Sequence, residues 1–166
     1  DYVNRRFTNW LDPFHDAQGA SYQLVQGLFG LANGGMSGTG LGQGFPDDTP
    51  LSQSDYIIPS LGEELGLIGL FVILAAYLLF VGRGLRIGFA GQDDFGKLLA
   101  AGLAFTVALQ VFIVIGGVTR VIPLTGLTAP FLAAGGSSLI SNWIIAALLL
   151  RLSNAVRNRP KLVIRA

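Results

Sequence analysis

Three long stretches without a charged residue constrain this chain more than anything else in it. Leu65–Gly82, Leu98–Val118 and Leu124–Leu150 contain no Asp, Glu, Lys, Arg or His. A helical run of about 20 apolar residues matches the hydrocarbon core of a bilayer. In that medium a backbone must satisfy its own hydrogen bonds, so an all-α, polytopic membrane protein is expected. Charged residues make up only 13% of the 166, against about a quarter in soluble domains.

The boundaries follow from charge and from helix breakers. The expected order is an outer loop 1–60, a membrane helix 61–82, a loop 83–97, a membrane helix 98–118, a loop 119–137, a membrane helix 138–152 and a basic tail 153–166. Pro130, Gly135 and Gly136 interrupt the third apolar run, so 124–137 is expected to be bent or re-entrant. Broken backbone at membrane depth must be buried in protein or line a cavity. Three spans place the 83–97 loop and the tail on one side. That side holds Arg83, Arg86, Lys97, Arg151, Arg157, Arg159, Lys161 and Arg165, whereas the other holds Arg5, Arg6 and Arg120. The positive-inside bias makes the tail cytoplasmic and residues 1–60 extracytoplasmic. The abrupt polar start suggests the carboxy-terminal part of a larger membrane protein.

Several function classes are excluded or disfavoured. The chain has no cysteine, which removes disulfides, thiolate nucleophiles and cysteine metal sites. His15 is the single histidine, too few for a zinc site of histidines, and it reads as a loop residue. A net charge of +1 with no basic cluster argues against nucleic acid as a partner.

The outer region has internal order. Tyr22, Val25, Phe29 and Ala32 recur at helical spacing, which predicts a short amphipathic helix within Ala17–Ala32. Gly34–Gly44 then carries six glycines in eleven residues. Glycines let backbone N–H groups approach phosphate. Yet neither a βαβ setting nor a closing Gly-Lys-Ser/Thr is present, so a sharply folded connector is the better reading. Asp55 follows, just before the first span. Ser52-x-x-Asp55 and Ser60-x-x-Glu63 both fit a capping box. From spacing alone, capping is the better reading of Asp55 and of Glu63. Ser137 and Ser138 precede an apolar run and read as N-caps or as sugar-hydroxyl contacts. Gln110, inside an uncharged span, is expected to bond to a neighbouring helix. Trp10 and Trp143 are expected to anchor or pack.

Read together, these pieces are familiar. Tyr22-Gln23, Gly34-Gly35, Gly38-x-Gly40-Leu-Gly42, Ser54-Asp55-Tyr56-Ile57, Gly62-Glu-Glu-Leu-Gly66, Pro123-Leu-Thr-Gly126, Pro130-Phe131 and Gly135-Gly-Ser-Ser138 come in order. The series resembles the carboxy-terminal half of the SEDS family, which includes RodA, FtsW and SpoVE. Thr125, the Phe131-Leu-Ala-Ala-Gly-Gly136 run and the Asp93-Asp94-Phe-Gly-Lys97 loop are most similar to actinobacterial RodA members. Two departures stand out. Gln53 occupies the position of a usual histidine, and Ala134 that of a usual tyrosine.

The resemblance implies a peptidoglycan glycosyltransferase that polymerises lipid II in the plasma membrane, with a class B penicillin-binding protein as transpeptidase partner. It also implies that Asp55 is the catalytic aspartate. A carboxylate there would accept the proton of the attacking C4 hydroxyl. Arg5, Arg6 or Arg120 would stabilise the departing pyrophosphate, or a divalent cation at Asp55 would do so. Glu64, Thr125, Ser137 and Ser138 complete the candidate substrate contacts. No organic cofactor is called for. The competing functions are a lipid II flippase and a non-catalytic membrane scaffold for a transpeptidase. Charged intramembrane residues would favour transport, and the second and third runs lack them.

Overall fold

A computed structural model describes residues 2–19, 21–44, 52–91 and 93–158. The part of the basic tail that carries Arg159, Lys161 and Arg165 lies outside the described residues, as does the stretch 45–51. Five helices follow one another: α1 (Tyr2–Leu11), α2 (Tyr22–Gly34), α3 (Ile57–Ala90), α4 (Asp94–Val118) and α5 (Gly136–Arg157). The described chain is all-helical, and α3, α4 and α5 are long and apolar enough to cross a membrane.

The spans form an antiparallel hairpin, α3–α4, with α5 laid against it. Near one end Ile58 packs with Val114, Val118, Ala129 and Ala133. Midway Tyr77, Val107 and Val111 form a second cluster, joined by Phe131 and Ile145. Toward the other end small residues let the helices touch. A Cβ on Gly84 would meet Ala104 Cβ at 2.7 Å and Leu149 Cδ1 at 3.5 Å. Such close approach is how membrane helices gain dispersion contact without a hydrophobic drive between them. Large apolar side chains such as Phe71, Leu79, Phe105 and Phe112 stay exposed on the outer faces.

Both ends of α3 lie beyond the expected span. The helix begins at Ile57 rather than 61 and continues to Ala90 rather than 82. Arg83 and Arg86 are good helix formers; they mark a change of solvent, not the end of the helix. Asp93 caps α4 by accepting the Gly96 N–H at 2.8 Å, so α4 starts four residues before the expected 98.

α3 is broken where it meets the glycine-rich segment. Gly66 has φ 67°, ψ −171° inside the helix, a conformation open to glycine and strained for other residues. The break removes two helical bonds, those from Leu67 and Ile68 to the carbonyls of Glu63 and Glu64. Residues 35–40 lie in the gap and replace them. Leu67 and Ile68 donate to the carbonyls of Gly35 (3.0 Å) and Met36 (3.2 Å). The freed carbonyls of Glu63 and Glu64 accept from the N–H groups of Thr39 (2.9 Å) and Gly40 (3.0 Å). A Cβ on Gly38 would lie 2.1 Å from Glu64 O. The glycines therefore serve close backbone-to-backbone approach.

Two expectations for the outer region change. α2 starts at Tyr22, and its packed face carries Leu24, Val25, Gly27 and Gly34. Tyr22 (37% exposed) and Phe29 (55%) lie outside it, because the glycines let α2 settle directly on the start of α3. A Cβ on Gly27 would sit 2.8 Å from the Tyr56 ring. The second change is α1, a helix within the polar start. Phe7 and Trp10 pack edge to face on it, with ring centroids 6.2 Å apart.

Candidate functional site

The segment between α4 and α5 carries no helix from residue 119 to 135. Side chains from the spans pin it. The Tyr77 hydroxyl donates to Pro130 O, and Gln110 Nε2 donates to Thr128 O at 3.0 Å. Gln110 therefore serves irregular backbone rather than a neighbouring helix, as buried carbonyls outside a helix require. The segment also ties to the turn ahead of α3, where Ala134 N–H donates to Gln53 O at 2.8 Å.

That turn carries Asp55. The carboxylate is half-buried and lies over Gly126, where an added Cβ would be 3.4 Å from Oδ2. Gly126 has φ 75°; a side chain there would strain the backbone and pack in contact with the carboxylate. Asp55 makes no ion pair or hydrogen bond among the described residues. It does not cap α3. The N-cap position is Tyr56, with no side-chain cap bond. Ser60, inside the helix, donates its hydroxyl back to Tyr56 O at 3.1 Å, so neither capping box forms. Both patterns assumed that the helix starts at the serine, but α2 and the glycine segment hold the chain helical from Ile57.

Tyr56 is 1% exposed, and its hydroxyl has no hydrogen-bond partner among the described residues. Burial, and secondarily the negative Asp55 beside it, push its phenol above the ordinary tyrosine range.

The cations divide. Arg6 Nη1 donates to the carbonyls of Leu124 (3.1 Å) and Thr125 (3.3 Å), which brings a guanidinium to the residues next to Gly126. Arg120 turns the other way. Its Nη2 donates to Trp10 O (3.0 Å) and Leu11 O (3.1 Å), while Trp10 Nε1 donates to Arg120 O at 2.9 Å. A cation on the last carbonyls of α1 complements the helix dipole. Arg5 lies on α1, and its side chain is outside the description.

The side chain of Thr125 is exposed beside Gly126. Glu64 is half-buried, with its Cγ 3.1 Å from where a Gly44 Cβ would be. Ser138 Oγ accepts from Thr128 Oγ1 at 2.8 Å and from Asn142 Nδ2 at 3.3 Å. It thereby joins the segment two residues beyond Gly126. Ser137 is exposed, and its carbonyl accepts from Ser141 Oγ. Gly135, not a serine, is the N-cap of α5. Among the described residues no three His, Cys, Asp or Glu side chains gather to hold a metal ion.

One residue was missed. Glu63 read as a helix-start acid. It is in fact buried, 6% exposed, and accepts Asn33 Nδ2 at 3.0 Å. An acid at i+7 from an aromatic, between two glycines, was the available signal.

Comparison with known proteins bears on this geometry. The family model for FtsW, RodA and SpoVE, described as "Cell cycle protein", matches residues 1–158. The chain is 56% identical over 160 residues to "Peptidoglycan glycosyltransferase RodA" of Mycobacterium bovis and of Mycobacterium tuberculosis, covering 96% of this chain and 34% of each relative. It is 39% identical over 162 residues to "Probable peptidoglycan glycosyltransferase FtsW" of Geobacter metallireducens, covering 96% and 43%. A solved chain, from work on "Structural coordination of polymerization and crosslinking by a peptidoglycan synthase complex", superposes with a TM-score of 0.77 at 25% identity, covering 95% of this chain and 43% of that one. The chain thus spans about a third of the length of the mycobacterial relatives.

Proposed function

The chain belongs to the FtsW/RodA/SpoVE family, known as SEDS, and we propose that it forms the Asp55-bearing part of a multi-pass lipid II polymerase. The polymerase is a peptidoglycan glycosyltransferase of the RodA type, acting in cell elongation at the plasma membrane. The observation that carries this reading is the seat of Asp55. Its carboxylate is half-buried over Gly126 and has no partner among the described residues, so its oxygens are open to an incoming hydroxyl.

The reaction balances simply. The C4 hydroxyl of one sugar gives its proton to Asp55 as its oxygen bonds to C1 of the donor. The bond from C1 to the pyrophosphate oxygen breaks, and undecaprenyl pyrophosphate leaves with the electron pair. One in-line displacement inverts the donor, so a single base suffices. Arg6 is the cation placed to meet the leaving group, next to Thr125. Arg120 serves α1 instead. Ser138 bonds to Thr128 of the same segment, Glu64 lies against the glycine segment, and both are suited to sugar contacts. No step is routed through a divalent cation.

Orientation belongs to the same proposal. Asp55, Arg6 and the 119–135 segment gather at one end of the bundle, while Arg83, Arg86 and Arg151 lie toward the other. The positive-inside rule makes the Asp55 end extracytoplasmic, where lipid II is consumed and where a class B penicillin-binding protein cross-links the strand.

The test is Asp55→Asn in the full-length protein with its transpeptidase partner, on fluorescent lipid II. Loss of polymer by about 10² to 10⁴-fold, the usual share of a general base, with unchanged melting is the expected result. Full polymerisation by the variant would move the chemistry elsewhere. Lost lipid flipping with polymer intact would favour the transporter.

A further inference from the structure

We propose that Glu63 is a positioning residue for Asp55. Bonded to Asn33, it clamps α2 and the glycine segment onto the first turns of α3, and so fixes the turn that presents Asp55. The inference rests on Asp55 as the proton acceptor.

The break at Gly66 uncouples residues 57–65 from the membrane-crossing part of α3. The rest of α3 therefore does not alone aim Asp55; the contacts on the short first part do, from α4 at Ile58 and from α2 and the glycine segment at Glu63. The backbone bonds around the break hold it weakly against its alternative. If the glycine segment withdrew, Leu67 and Ile68 could bond to Glu63 O and Glu64 O and close the helix, while water took the other partners. Exchange of this kind changes little in net hydrogen bonding. The discriminating contact is a side chain.

Glu63 meets α2 and the glycine segment at once. Its Oε1 takes the Asn33 amide of α2 at 3.0 Å. Its carbonyl takes both the N–H (2.9 Å) and the hydroxyl (3.2 Å) of Thr39. Its side chain fills space left by glycines, with an added Cβ at Gly30 3.4 Å from Oε2 and one at Gly44 3.4 Å from Cδ. At 6% exposure it is the one buried Asp, Glu, Lys or Arg among the described residues. That burial keeps it from touching sugar or pyrophosphate. It lies eight residues after Asp55, about 12 Å along the chain of the helix, close enough to transmit a tilt and too far to share a proton.

The experiment uses the full-length protein with its transpeptidase partner, measuring kcat and KM for lipid II and the melting temperature. Glu63→Ala is expected to lower kcat by roughly 10-fold or more, since small misplacements of a catalytic group have such effects, with KM within about twofold. Glu63→Gln keeps an acceptor for Asn33 and is expected to restore kcat to within about threefold. Asp55→Asn/Glu63→Ala should be no slower than Asp55→Asn alone, as coupled residues are not additive. The proposal is overturned by equal losses in the Gln and Ala variants, by a kcat loss that merely tracks lower melting, or by unchanged kcat in Glu63→Ala. Should Glu63→Ala not fold, Asn33→Ala decides in its place: a kcat several-fold lower at constant KM supports the clamp, and an unchanged kcat removes it. An inactive Asp55→Asn beside an active Glu63→Ala defeats the clamp alone. An active Asp55→Asn defeats both readings.

Discussion

At the arginine-bearing end of the bundle α3 stops at Ala90, α4 starts at Asp94, and one side chain, Asp93, caps the new helix. At the Asp55 end α1, α2, the glycine segment, the turn before α3 and the 119–135 segment all converge. At the first end regular helix ends pack side by side, α5 included, with Leu152 Cδ2 3.7 Å from where a Gly96 Cβ would be. The second is assembled from distant pieces, with Arg6 reaching Leu124 across 118 positions. Irregular backbone carries more unpaired groups than a capped helix, and every one of them needs a partner. The Asp55 end obtains those partners by threading segments through one another, and that construction brings the Asp55 carboxylate to Gly126 and the Arg6 guanidinium to Leu124 and Thr125.

Glycine substitutions probe the contrast most strongly. Gly38→Ala puts a Cβ 2.1 Å from Glu64 O at a φ of 79°. It is expected to destabilise the protein by about 2 kcal/mol or more, the usual result of overpacking added to backbone strain, and to reduce polymerisation. Gly102→Ala, inside α4 with nothing within 4 Å of the new methyl, is expected to stabilise by about 0.5–1 kcal/mol on helix propensity. Melting of the two variants in one detergent checks the pair. If both destabilise equally, the two regions do not differ as described.

Removing a cap at the simpler end should cost less. Asp93→Ala is expected to lose about 1 kcal/mol while leaving kcat for lipid II unchanged, because Asp93 touches nothing at the Asp55 end. A variant with intact stability would show that the start of α4 holds without its cap.

The smallest effect is at Tyr56. Its buried hydroxyl has no partner among the described residues, and a buried polar group left unpaired costs about 1–3 kcal/mol. Tyr56→Phe is therefore expected to be neutral or slightly stabilising. The phenol is held above its ordinary range in the folded protein. Its contribution is complete below the unfolded tyrosine value of about 10 and fades as pH rises past it. Stability of the parent should fall above about pH 10 more steeply than that of the Phe variant, as pH-dependent melting would register.

The spans were legible because absence of charge over some 20 residues is a property of the chain alone. Their ends were less so, since arginine tolerates both a helix and an interface. Asp55 was legible through its neighbours in the resemblance, whereas spacing alone favoured a cap. The glycine run was visible as a run, but its reason lies in a helix break some 30 residues away, which no local pattern encodes. Glu63 was misread for the same cause: a capping box predicts a helix start, and tertiary packing moved that start to Ile57. Arg6 and Arg120 looked equivalent in sequence. Only the path of α1 separates a guanidinium beside Gly126 from one that closes a helix end.

The mutual bonds of Trp10 and Arg120 span 110 positions. At translation rates of about 5–20 residues per second, α1 waits roughly 5–20 seconds after its own synthesis before its partner leaves the ribosome. During that interval two membrane helices must already have been inserted. Closure of the Asp55 end thus follows the synthesis of both α3 and α4.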